Sequence, residues 1–311
     1  MHFRSINDLY RDVWRGLSRL PHDIDLVVGV PRSGMLPASM VALARNLPLA
    51  DIDGFAQGRL LSSGHTRREE GAVSRFAHVL VIDDSCRTGA SMQEARAKLA
   101  HLDCRITFAA VYGVPGKSGG ADFVFETVPE PRVFEWNVLH HPIVSRSCFD
   151  IDGVLCVDPT ERENDDGARY LNFLASAVPL HRPRREIAML VTSRLEKYRA
   201  PTEDWLDRHG VRYGQLRMLD LPDAAARRRL RAHGSFKAEV YREAACDLFV
   251  ESELPQARDI ARLSGKPVLS LQGPQMLMPG MMNPQAIRHT LAPRRFRARV
   301  GRMVSRVLRA G

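Results

Sequence analysis

Short apolar runs, each closed by a turn or by acids, recur along the first part of the chain. Leu26 to Val30, Val79 to Ile82, Ile106 to Val111 and Met189 to Val191 are continuous rather than alternating, the pattern of strands buried on both faces of a parallel sheet. Between them the period changes to that of helices: Ile6 to Leu20, Leu36 to Arg45, and a capped amphipathic segment over Thr202 to Leu206. Strand, turn and helix in alternation predict an α/β chain. No run approaches the roughly 20 apolar residues of a spanning helix, and the start, Met-His-Phe-Arg-Ser-Ile-Asn-Asp, has no signal-peptide core, so the expected location is cytoplasmic.

The strand Val79 to Ile82 runs into Asp83 and Asp84 and then into the small, hydroxylic turn Ser85-Cys86-Arg87-Thr88-Gly89-Ala90-Ser91. Open α/β sheets bind ligands at such carboxyl ends, and a turn of this composition at a helix start makes a cradle for phosphate. Two carboxylates repel a bare phosphate. The ligand should therefore carry hydroxyls beside its phosphate, as ribose 5-phosphate does. A second strand–turn–helix, Val27-Val28-Gly29-Val30-Pro31-Arg32-Ser33-Gly34-Met35, offers more backbone amides and a guanidinium for a charge-assisted contact.

Together these stretches resemble the phosphoribosyl pyrophosphate (PRPP) site of type I phosphoribosyltransferases. The resemblance implies that Asp83 and Asp84 hold the ribose hydroxyls, that Ser85, Thr88, Gly89, Ala90 and Ser91 wrap the 5-phosphate, and that Arg32, Ser33 and Gly34 hold the pyrophosphate. Gly58 to Arg68 looks like the family's mobile loop over PRPP, a solvated surface loop being the alternative.

A second centre begins at Phe149-Asp150-Ile151-Asp152-Gly153. Acids at i and i+2 just past a strand can face one pocket, one as nucleophile and the other as general acid/base. The segment resembles motif I of the haloacid dehalogenase (HAD) phosphatases. By that resemblance Asp150 would form an aspartyl-phosphate and share Mg²⁺ with the main-chain carbonyl of Asp152, whose carboxyl would protonate the leaving oxygen and then activate water. Thr192 would bind a phosphoryl oxygen and Lys237 would neutralise phosphoryl charge. Glu251 would be the further metal ligand, with Glu253 in reserve, because Ser252 stands where the family most often has Asp. About 40 residues between the first two motifs and about 14 between Lys237 and Glu251 leave little room for a cap, and open sites in this superfamily tend to take large substrates.

Composition adds three points. The five cysteines are scattered without zinc spacing and read as reduced thiols, Cys86 as a small loop filler. Residues 121 to 148, rich in aromatics and proline, look like a hood strand pair and a linker. The net charge of +9 is concentrated late: beyond Asp259 there are ten basic residues and no acid, leaving the preceding part near −1 (9 − 10). In that tail Phe296, Val300, Met303, Val304, Val307 and Leu308 recur at helical spacing opposite arginines. Such a helix reads as a binder of an anionic membrane surface, or as one docking on its own protein. Nucleic acid is not an expected partner, since no aromatic platform accompanies the arginines.

The expected organisation is two parallel-sheet, Rossmann-like domains in tandem: a phosphoribosyltransferase domain over 1–145 and a HAD-like phosphatase domain with little or no cap over 146–275. A basic amphipathic tail over 276–311 follows. The expected function is transfer of 5-phosphoribose from PRPP to an acceptor, a glycan or lipid-linked glycan, followed by removal of the 5-phosphate to leave ribofuranose. This resembles two-step routes in bacterial surface polysaccharides. A nucleobase phosphoribosyltransferase fused to a nucleotidase, and a PRPP-sensing regulator, are the alternatives. Arg87 argues against purines, because hypoxanthine-type relatives have Asp there and a guanidinium is no base at neutral pH.

Overall fold

A computed structural model describes residues 1–62, 76–117, 119–230 and 232–279. The chain divides into two compact units, Met1–Val138 and Leu139–Gly311, ahead of the 145/146 boundary expected above. The tail from 280 onward, Ser118, and residues 63–68 of the expected mobile loop lie outside the described residues.

Unit 1 opens with β1 (His2–Arg4) and α1 (Ile6–Gly16), whose start is fixed by a capping box between Ser5 and Asp8. Then come β2 (Leu26–Gly29), α2 (Met35–Arg45), β3 (Leu49–Asp51), α3 (Ile52–Ala56), β4 (His78–Ser85), α4 (Ala90–Leu99), β5 (Arg105–Gly113), β6 (Phe123–Thr127) and β7 (Arg132–Phe134). Five strands form a parallel sheet in the order β3-β2-β4-β5-β6, buried between two apolar clusters. The chain leaves β2 for β3 on one side and returns to β4 on the other. The carboxyl ends of β2 and β4 therefore flank a topological switch point, where open α/β sheets have their crevice.

The expected hood strand pair is not a pair. β6 extends the main sheet, whereas β7 pairs in parallel with the amino-terminal β1, His2 opposite Arg132 and Arg4 opposite Phe134. The two strands are neighbours in sequence, but β1, which lies over a hundred residues earlier in the chain, supplies the partner edge of β7.

Unit 2 contains β8 (Ser147–Phe149), α5 (Ala168–Ser176), β9 (Ile187–Leu195), α6 (Arg199–Arg208), β10 (Tyr213–Leu219), α7 (Ala224–Leu230), α8 (Ala232–Glu243), β11 (Leu248–Glu251), α9 (Leu254–Ser264), β12 (Val268–Ser270) and β13 (Gln275–Leu277). The sheet order is β10-β9-β8-β11-β12-β13, parallel except for β13, which closes its edge in antiparallel register with β12. Here the switch point falls between β8 and β11. The five cysteines are thiols rather than disulfides. Among the described residues no helix is long and apolar enough to cross a membrane.

Candidate functional sites

In unit 1, β4 runs three residues further than its apolar core, to Ser85, so Asp83 and Asp84 are the last buried steps of the strand, 7 % and 3 % exposed. Asp84 is held from two directions. Its Oδ1 accepts from Ser33 Oγ at 2.9 Å and its Oδ2 from Trp136 Nε1 at 2.6 Å, while Asp83 Oδ1 caps the Asp84 amide at 2.8 Å. Burial, and then the neighbouring Asp84 charge, push the Asp83 carboxyl up to about 8. Two carboxyl groups kept this close and this dry, sharing a proton, are suited to hydrogen-bond a pair of hydroxyls.

The two loops converge on these acids. Arg32 and Ser33 lie in the turn between β2 and α2, and Gly34 brings that turn against β4: a Cβ there would stand 2.8 Å from Asp83 Oδ1. Ser85, half-buried, ends β4, and Thr88, Ala90 and Ser91 are exposed around the start of α4. Gly89 takes φ +87° beneath the Gly119 carbonyl, 2.7 Å from where a Cβ would sit, so only glycine fits. Thr88 Oγ1 accepts from the Ala90 amide at 3.4 Å. Arg87 reaches away to Glu130 at 2.6 Å, and burial pushes the Cys86 thiol up, which suits a packing role.

Sequence reasoning missed two residues here. Trp136 touches Asp84 and ends a stack of parallel rings, Tyr112, Phe134 and Trp136, whose Tyr112 hydroxyl donates to Asp12 at 3.0 Å. Arg132 donates to the Cys86 carbonyl at 2.9 Å and to Gly113 at 3.2 Å, bracing the phosphate loop from behind. Both lie in the aromatic stretch 121–148, and that enrichment was the only signal.

In unit 2 the charged residues meet at the carboxyl end of the sheet. Asp150 follows β8, its amide donating to Val250 at 3.0 Å, and Glu251 ends β11. Lys237, from α8, is 1 % exposed and lies between them, 2.6 Å from Asp150 Oδ2 and 2.8 Å from Glu251 Oε2. Burial raises the Asp150 carboxyl; the Lys237 charge opposes this, and Glu251 and Asp152 add to it. Burial alone would lower the Lys237 ammonium, but the two carboxylates outweigh it and leave it raised. Thr192, 1 % exposed on β9, faces the same cavity of about 260 Å³, which Asp150, Asp152 and Lys237 also line.

Asp152 is not free. Arg194, fully buried on β9, donates to it through Nη2 at 2.6 Å and Nε at 3.2 Å, a planar clasp that fixes the carboxylate plane. Arg194 is a residue the sequence did not single out. Ser252 Oγ lies 3.4 Å from the Asp152 carbonyl and 3.3 Å from Glu251 Oε1.

Among the described residues no three His, Cys, Asp or Glu side chains group as a metal cage, because Lys237 stands between Asp150 and Glu251. The donor set nevertheless suits a hard cation. Asp150, Asp152, Asp158 and Glu253 line the cavity, and Asp158 is pushed up by burial and then by Asp152 and Glu253, the signature of crowded negative charge.

Residues 4–142 match the family model of the phosphoribosyl transferase domain, which supports a phosphoribosyltransferase domain for that part of the chain. Solved structures similar to the chain include a purine phosphoribosyltransferase from Pyrococcus horikoshii Ot3, 18 % identical over 43 % of this chain and 92 % of that one, with a TM-score of 0.33. Another is a xanthine-guanine-hypoxanthine phosphoribosyltransferase of Helicobacter pylori, 18 % identical over 44 % and 93 %, TM-score 0.35. An orotate phosphoribosyltransferase from Aeropyrum pernix is 20 % identical over 39 % and 68 %, TM-score 0.27. No curated protein sequence matches the chain.

Proposed function

We propose that the chain is a two-site enzyme: unit 1 transfers 5-phosphoribose from PRPP to an acceptor and releases pyrophosphate, and unit 2 hydrolyses the 5-phosphate of the product. The observation that carries the first half is the convergence of both loops on the buried Asp83–Asp84 pair, within the segment that matches the phosphoribosyl transferase model. The second half rests on Asp150, Thr192 and Lys237 lining one cavity.

In the first reaction Asp83 and Asp84 hold the ribose hydroxyls, the amides and hydroxyls of Ser85, Thr88, Gly89, Ala90 and Ser91 hold the 5-phosphate, and Arg32, Ser33 and Gly34 hold the departing pyrophosphate. The acceptor atom bonds to the anomeric carbon as the carbon–pyrophosphate bond breaks, and the acceptor's proton passes to solvent. In the second reaction an Asp150 oxygen attacks phosphorus while Asp152 gives its proton to the leaving ribosyl oxygen. Water then cleaves the aspartyl-phosphate, Asp152 taking its proton. Arg194 keeps Asp152 aimed, and Thr192 orients a phosphoryl oxygen. Mg²⁺ in unit 2, which Asp150, the main-chain oxygen of Asp152 and Glu253 would hold, Glu251 being buried against Lys237, would supply positive charge against the phosphoryl group.

Loss of the 5-phosphate makes the sequence irreversible and leaves ribofuranose on the acceptor. The short connections around the unit 2 cavity favour a bulky acceptor, a glycan or lipid-linked glycan. The test is incubation of PRPP labelled in its ribose with an envelope fraction and either the wild type or Asp150→Asn. The wild type should label acceptor without phosphate. The variant should leave each labelled product heavier by one phosphate in mass spectrometry; identical products from both proteins would refute the coupled route.

A further inference from the structure

Unit 2 buries a cation that no carboxylate among the described residues neutralises. Arg227, on α7, is 7 % exposed, and its Nη1 and Nη2 each donate one hydrogen bond, to the Ser193 carbonyl at 3.0 Å and to Asn164 Oδ1 at 3.2 Å. Both acceptors are neutral, and among the described residues no carboxylate pairs with this guanidinium. Among the described residues its Nε has no hydrogen-bond partner, nor has the hydroxyl of Ser193, which is 8 % exposed. A buried charge without a counter-charge, and a buried donor without an acceptor, are both costly. Here they occur side by side, on residues that line the cavity containing Asp150.

The other basic groups of that cavity are committed. Lys237 is bound to Asp150 and Glu251, and His233 is held toward its neutral form by burial and then by the charges of Arg227 and Lys237. Asp158, Ser252 and Glu253 are shared with an adjoining depression that leads to His181 and Gln272, whereas Arg227, Ser193 and Asn164 line the first cavity alone, as Asp150 and Asp152 do.

We propose that Arg227, together with the Ser193 hydroxyl, is the oxyanion seat of this cavity, and that it takes the phosphoryl dianion of a phosphomonoester. The identity of the reacting group rests on the phosphatase reading above; the seat itself rests on the unpaired guanidinium. Of its five N–H groups, Arg227 spends two on Ser193 and Asn164 and its Nε–H is closed off, which leaves one N–H on each Nη for an anion. The guanidinium lines the cavity at 7 % exposure, so an anion arriving there meets it largely desolvated, where charge acts most strongly. Lys237 serves instead to hold Asp150 and Glu251 together.

The test uses the full chain as wild type, Arg227→Gln, Arg227→Lys and Ser193→Ala, with inorganic phosphate titrated calorimetrically in the presence of Mg²⁺ and with 4-nitrophenyl phosphate as substrate. Phosphate bound by unit 1 is common to all four proteins and cancels in the comparison. Arg227→Gln should weaken the unit 2 phosphate site about tenfold or more and raise KM for the aryl phosphate to match. Arg227→Lys should recover part of both, and Ser193→Ala should lose a few-fold. In the absence of phosphate the thermal midpoint of Arg227→Gln should equal or exceed that of wild type, because a buried unpaired charge is removed. A lower midpoint with phosphate affinity and KM unchanged would make Arg227 a brace and overturn the proposal. Phosphate binding that depends on Arg227, in a protein that hydrolyses no aryl phosphate, would keep the seat and reject the phosphatase reading. Hydrolysis that is indifferent to Arg227 would do the reverse.

Discussion

The indole Nε1 of Trp136 donates to Oδ2 of Asp84 at 2.6 Å, and the indole is itself fixed by stacking on Phe134 at 4.9 Å. One carboxylate thereby joins β4 to the segment beyond β7, while Ser33 holds its other oxygen from the turn after β2. Trp136→Phe keeps a ring in the stack and deletes only the donor. A hydrogen bond to a charged group contributes about 1.5–3 kcal/mol, so PRPP affinity should fall roughly tenfold as Asp84 loses its orientation. Calorimetric titration with PRPP measures it; unchanged affinity would show that Ser33 alone positions Asp84.

Lys237 offers a test of stability. Its side chain is 2 % exposed between the side chains of Asp150, 7 % exposed, and Glu251, fully buried. Lys237→Met should leave two buried carboxylates without a cation and cost about 3–5 kcal/mol, and adding Asp150→Asn should recover part of the loss. Urea unfolding followed through buried Trp205, in a background with Trp14 and Trp136 replaced by Phe, reads unit 2 alone. A double variant no more stable than the single one would contradict this pairing.

Much of the sites could be read from local sequence because a buried strand that ends in acid is itself a local pattern. Asp83, Asp84 and Asp150 fall at the ends of β4 and β8 for that reason. Trp136, Arg194 and Arg227 could not be found this way. Trp136 stands 52 residues from Asp84 and Arg194 stands 42 from Asp152, and only the strand order of each sheet brings them together. The same holds for β7, whose parallel partner is the chain's first strand, and for the unfilled bonds of Arg227, a property of packing alone.

The raised carboxyl of Asp83 gives stability a sign with pH. An unfolded aspartate releases its proton near 3.8, whereas in the fold Asp83 keeps it to about 8. Its contribution to stability is therefore complete below the unfolded value and is lost as pH rises through the folded one. The thermal midpoint of wild type should decline across pH 4 to 8 more steeply than that of Asp83→Asn, in which this proton is replaced by a permanent neutral amide. Parallel curves for the two proteins would show that Asp83 is charged in the fold at neutral pH.

Two separable sites on one chain are tested by two assays on wild type, Asp84→Asn and Asp150→Asn: PRPP binding by calorimetry, and Mg²⁺-dependent hydrolysis of 4-nitrophenyl phosphate. Asp84→Asn should lose PRPP binding and keep hydrolysis; Asp150→Asn should lose hydrolysis and keep PRPP binding. A single substitution that abolishes both in a protein still folded by circular dichroism, or a wild type that lacks either one, would rule out two independent sites.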